Sequence, residues 1–170
     1  MNIRIIGAVF IVIGCGCFGF LMAASYRKEI NTLREMIYIL DYMQCELQYR
    51  QTPLPQLCRQ AAEHASGQLR KLFLTLTYEL EDRIYPDVSH CVSIAISKNQ
   101  GAPKTLLRHF TRLGKDLGRY DVEGQIKGLE AARQDCRRSL KNLSANEDVK
   151  LRNYKTLGLC AGAALAILFV

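Results

Sequence analysis

Two patterns of apolar residues alternate along this chain: unbroken runs near its ends, and helical stripes between them. Ile5–Ala24 is a run of 20 residues without a charge. As a helix it spans about 30 Å, the thickness of a bilayer's hydrocarbon core. Leu157–Val170 is a second run of 14 residues, about 21 Å as a helix. Tyr154 at the interface, a snorkelling Lys155 and local thinning of the bilayer would let it serve as a span. Gly14, Gly16 and Gly19 in the first run, and Gly158, Ala161, Gly162 and Ala166 in the second, suit close helix–helix contact. The expectation is an antiparallel transmembrane hairpin. Two alternatives attach to the first run: a cleaved signal peptide, with Ala23-Ala24-Ser25 as the cleavage site, and a lipoprotein, with Cys15 in a lipobox-like Val12-Ile13-Gly14-Cys15. Nine more apolar residues follow Cys15 without a break, which disfavours lipid attachment. The length of the run and its immediate continuation as a helical pattern favour an uncleaved anchor.

Between the runs the spacing predicts helix after helix, with no sustained period of two. The domains read as a transmembrane segment over 1–24, a helical domain over 25–156 and a second transmembrane segment over 157–170. The fold class is all-α, a bundle of about six helices between two membrane helices. Ile30, Leu33, Ile37, Leu40 and Leu47, with Met36 and Met43, form a first stripe that ends near Arg50. Thr52-Pro53 reads as a helix start, with Thr52 as cap. Leu57, Ala61, Ala62 and Ala65 follow, then a break at Ser66-Gly67. Leu69, Leu72, Phe73, Leu76 and Leu80 form the next stripe. Asp87 can cap a short helix carrying Val88, Cys91, Val92 and Ala95. After a turn at 99–103, Leu106, Phe110, Leu113 and Leu117 share one side of a helix. Lys104, Arg108, Arg112, Lys115 and Arg119 fall within about 80° on the opposite side. Gly118 stops this helix, and Asp121 can cap a last one bearing Val122, Ile126, Leu129, Ala132, Cys136, Leu140 and Leu143.

Charge adds an orientation. The net charge is +7, from 23 basic and 16 acidic residues. Between Lys98 and Thr156 there are 14 Lys/Arg against 7 Asp/Glu, whereas Ser25–Ser97 carries 8 against 9. Arg27, Lys28, Lys150, Arg152 and Lys155 flank the runs on the inner side, against Arg4 outside, which places the middle domain in the cytoplasm. Candidate catalytic chemistry is sparse. The seven cysteines are scattered without a C-x-x-C pair, as expected of reduced thiols. His64, His90 and His109 have no metal-ligand spacing, and each reads as solvated or half-buried. Gly101-Ala102-Pro103-Lys104-Thr105 lacks the glycines of a phosphate loop. Glu79, Glu81 and Asp82 read as a solvated helix end. No metal, cofactor or active site is called for, so an enzyme is not expected. The basic stripe leaves four readings open: a plain solvated face, a docking face for an acidic protein, a face for anionic lipid, and nucleic acid. The last is disfavoured because no aromatic residue interleaves the cations.

The run Leu113-Gly114-x-x-Leu117-Gly118-x-x-Asp121-x-x-x-Gln125 resembles the stage III sporulation protein AB family. The resemblance extends to the N-terminal anchor, Leu33-Arg34-Glu35, Thr52-Pro53-Leu54-Pro55 and the short apolar C-terminus. Tyr120 departs from it, standing where the family has a small hydroxyl residue. The resemblance implies a helical cytoplasmic domain akin to the inner-membrane platform protein of type II secretion systems. It implies a role in the channel between mother cell and forespore, in the mother-cell membrane around the forespore. The partners it implies are the channel's cytoplasmic ATPase and its membrane proteins; a homo-oligomer stays open. Physically, Gly114 and Gly118 bare one helix edge, Leu113 and Leu117 pack beside it, and Asp121 restarts the chain, which makes the motif an architectural corner.

Overall fold

The computed structural model describes residues 2–82, 87–118, 121–145, 152, 153, 156 and 160, the side chains of 2–16, 18 and 19 excepted. The regular structure described is helical throughout: α1 Asn2–Arg50, α2 Leu54–His64, α3 Gly67–Glu81, α4 Val88–Lys98, α5 Lys104–Asp116 and α6 Val122–Ser144. The chain divides into two compact units, one of Asn31–Leu140 and one of Met1–Ile30 with Lys141–Val170.

In the larger unit, α2 packs on α3, α3 on α4, and α4 on α5. One core cluster joins them to the apolar faces of α1 and α6. α1 contributes Met36, Leu40, Met43 and Leu47 as spaced in the sequence, but Ile39 is fully buried and Ile37 only partly so. Phe73 of α3 meets Phe110 of α5 edge-on, with ring centroids 5.2 Å apart. Cys58, Cys91 and Cys136 are buried and unbridged. Burial pushes the Cys58 and Cys136 thiols up to about 12, so they pack as small hydrophobes.

The connections show why each helix starts where it does. Pro53, not Thr52, holds the cap position of α2 and makes no side-chain cap bond. Thr52 lies one residue before the cap, and its hydroxyl donates back to Glu46 of α1 at 3.4 Å. Ala65 and Ser66 are extended and Gly67 turns at φ +52, a conformation that suits glycine. The Glu35 carboxylate of α1 accepts the Ser66 N–H at 2.6 Å, an anion at the positive end of α3. Asp87 caps α4 by accepting the Ser89 N–H at 3.1 Å. Asn99 closes α4, donating to the Ala95 carbonyl at 2.8 Å and to the Thr75 hydroxyl at 3.1 Å.

The acidic end of α3 is not merely solvated. Glu79 pairs with Lys98 of α4 at 2.6 Å, and Glu81 takes both its bonds from Arg59 of α2, at 2.7 and 2.9 Å. These carboxylates tie α3 to its two neighbours. Val122 also departs from its expected stripe: it is exposed, because it lies in the first turn of α6, ahead of the stretch that packs on α5. Leu129, Ala132 and Cys136 are the buried face of that helix.

In the smaller unit, Ala23 and Ile30 are buried, and Tyr26 donates its hydroxyl to the Leu143 carbonyl at 2.7 Å. Among the described residues, no helix is long and apolar enough to cross a membrane. Most side chains of Ile5–Ala24, and all of Leu157–Val170 except Cys160, lie outside the described residues.

Candidate functional site

The site is built on α5, whose two faces differ most sharply in chemistry. Leu106, Phe110, Leu113 and Leu117 are buried, and Lys104, Arg108, Arg112 and Lys115 are exposed on the other side. Arg119 and Tyr120 lie outside the described residues. Beside the cations a groove of about 730 Å³ runs between α5 and α6, lined by Arg108, Thr111, Arg112, Lys115, Asp116 and Asp135.

The glycines set how closely the neighbouring helices approach α5. A Cβ on Gly114 would fall 2.6–2.8 Å from three atoms of the Val92 side chain. The bare edge lets Ser89 donate to the Gly114 carbonyl at 3.2 Å. Leu117 is extended (φ −73, ψ 134) and Gly118 follows at φ +73, in the left-handed region that favours glycine. A Cβ on Gly118 would collide with Val88. Asp121 then accepts the Gly124 N–H at 2.9 Å, and the Gln125 N–H donates to the Asp121 carbonyl at 2.9 Å. On the α6 side, Gly128 faces Asp116, whose Cβ would stand 2.8 Å from an added Cβ. Gly128 is the residue in the sequence that permits this second close approach.

His109 is the departure from expectation. It is 3% exposed, not solvated, and lies among the buried residues of α5. Its Nδ1 is 3.1 Å from Asp135 Oδ2, and Arg112 Nη1 is 3.2 Å from the same oxygen. Nε2 is buried without a partner among the described residues. Burial holds the His109 pKa below its usual value, against the opposing pull of Asp135. The imidazole is therefore neutral, with Nδ1–H donating to the carboxylate. Asp135 carries no sequence signal of its own. It is 26 residues from His109 and meets it only because α6 folds back on α5. Around them, three residues of His, Cys, Asp or Glu that could hold a metal do not occur among the described residues.

A pH dependence follows. The unfolded chain binds a proton at His109 near 6.5, while the folded chain does so only at lower pH. Between those values the unfolded state holds more protons, so stability falls as pH falls. Urea midpoints taken from pH 7.5 down to 5 should decline, and His109→Gln should flatten the decline. An equally steep decline in the variant would place the titration elsewhere.

Fold and site together define, among the described residues, a helical bundle with a cationic groove beside α5. The family model of stage III sporulation protein AB matches residues 4–170, and the chain belongs to that family. It is 24% identical over 171 residues to stage III sporulation protein AB of Bacillus subtilis (strain 168), covering 99% of each chain. A solved structure of stage III sporulation protein AB matches with a TM-score of 0.61 at 18% identity, covering 69% of this chain and 94% of that one. At that identity the likeness speaks to the fold.

Proposed function

We propose that this protein is a non-catalytic membrane platform of the channel between mother cell and forespore, and that the basic face of α5 docks the channel's cytoplasmic ATPase. The observation that carries the docking reading is the ladder of exposed cations, Lys104, Arg108, Arg112 and Lys115, on the side of α5 that the core does not use. Family membership supports the sporulation role. The uncharged run Ile5–Ala24 lies within the continuous helix Asn2–Arg50, which supports an anchor that leads straight into the bundle. In this reading Leu157–Val170 returns to the membrane, the bundle faces the mother-cell cytoplasm, and other channel membrane proteins meet the spans.

The test is co-purification of the detergent-solubilised chain from sporulating cells. Replacing Arg108, Arg112 and Lys115 by Gln should weaken capture of the ATPase and flatten its salt dependence. Stability should drop by at most about 1 kcal/mol, because among the described residues only Arg112 of the three has an ion pair and that pair is solvated. Unchanged ATPase capture would sink the docking reading. Intact capture with lost binding to anionic vesicles would reassign the face to lipid.

A further inference from the structure

Asp135 sits where an incoming acid would sit. It lines the α5/α6 groove, and its Oδ2 serves two donors, His109 Nδ1 at 3.1 Å and Arg112 Nη1 at 3.2 Å. The two differ in mobility. His109 is locked in the core, whereas the Arg112 side chain is 66% exposed. Arg108 and Lys115, on either side of Arg112, have no carboxylate within ion-pair distance among the described residues. The central cation of the ladder is thus the one held by an internal acid. We infer that Asp135 is a placeholder: the groove takes acidic side chains of a partner helix, and the partner's central carboxylate takes Arg112 over from Asp135. The inference rests on the docking reading and adds to it a register and a brake.

The partner's chemistry follows from the groove. Arg108, Arg112 and Lys115 recur at i, i+4 and i+7, the spacing at which acids line one face of a facing helix. A recess between two helices accepts a rod, whereas a flat layer of headgroups reaches only the crest. Among the described residues no aromatic side chain lines the groove on which bases could stack. The Thr111 hydroxyl is already committed to the Leu107 carbonyl at 2.8 Å, so charge does the selecting. The exchange is cheap. A solvated ion pair is worth little, and the incoming acid replaces it in kind. Asp135 is not orphaned when Arg112 leaves, since His109 still donates to it.

Asp135→Asn separates the two bonds. The amide oxygen still accepts from His109, which preserves the fold as checked by melting, while the charge that holds Arg112 is gone. The experiment measures binding of a synthetic helical peptide with Glu at i, i+4 and i+7, and of its Gln counterpart, to the full chain in detergent micelles. Asp135→Asn should tighten the Glu peptide about two- to five-fold. Asp116→Asn removes the same charge from the same groove without freeing a guanidinium, and should tighten it less. In an Arg112→Gln background, Asp135→Asn should tighten the peptide no more than Asp116→Asn does in the parent. Equal tightening in that background, or none in the parent, overturns the placeholder while Glu-peptide binding still upholds docking. Failure of the Glu peptide to outbind its Gln counterpart overturns docking itself. Phosphatidylglycerol vesicles bound with the same Asp135 dependence would overturn the choice of partner.

Discussion

Phe110→Ala is expected to cost about 4 kcal/mol, enough to leave a domain of ordinary stability largely unfolded. The ring is fully buried at the middle of α5 and meets Phe73 at 5.2 Å with planes 79° apart. Truncation removes both the transfer term and the edge-to-face contact, and it leaves a hole bounded by helices that are held elsewhere. α5 has one buried face only, and Phe110 is its largest member. Losing it should also loosen the ladder of cations on the opposite side. Urea midpoints of the full chain in detergent would measure the loss. Phe110→Leu keeps most of the volume and should cost less than about 1.5 kcal/mol. A cycle with Phe73→Ala should show coupling of about 1 kcal/mol. A Phe110→Ala chain that loses under about 1 kcal/mol would show that this pair is not the centre of the core.

What was legible in the sequence was what a single helix decides by itself. The stripes of α2, α3 and α5 follow from period alone, and the break at Ser66-Gly67 and the Asp87 and Asp121 caps follow from residue type. What was not legible depends on a second helix. Ile37 and Ile39 lie about 80° on either side of the centre of the α1 stripe, so the helix cannot say which flank its neighbours cover. His109 sits at the margin of the α5 stripe in the same way. It is buried because α6 brings Asp135 to its Nδ1–H, and an imidazole with a partner can be buried neutral. The same contact decides that Arg112 is a paired cation and not a free one. Thr52 has the side chain of a cap, but Pro53 takes the position, and Glu46 of α1 takes the hydroxyl. Half of the site was therefore readable: its cations, which belong to α5, but not the pairing acid Asp135, which belongs to α6.

Gly114→Leu should destabilise the chain by about 3 kcal/mol, and the smaller Gly114→Ala shows why. An added methyl gains about 1 kcal/mol of helix propensity. Against this, its carbon would stand 2.6–2.8 Å from Val92 Cγ2, Cβ and Cγ1. Val92 is β-branched and 2% exposed, so it has no rotamer to retreat into, and α4 as a whole must move. Moving α4 stretches the bond from Ser89 to the Gly114 carbonyl and draws Val88 away from Gly118. Alanine should therefore be net destabilising despite its propensity, and leucine more so. Compensation is the sharper test. Val92→Ala removes two of the three colliding atoms but leaves Cβ, so it should rescue Gly114→Ala in part. Val92→Gly removes all three, at about 1 kcal/mol of helix propensity in α4. Thermal melts of the two doubles against their single parents would measure the coupling. Additive losses, or a Gly114→Leu chain that melts like the parent, would mean that α4 and α5 do not meet at this edge. Gly118 should not be rescued in the same way: trimming Val88 clears the space, but any side chain there still has to adopt φ +73.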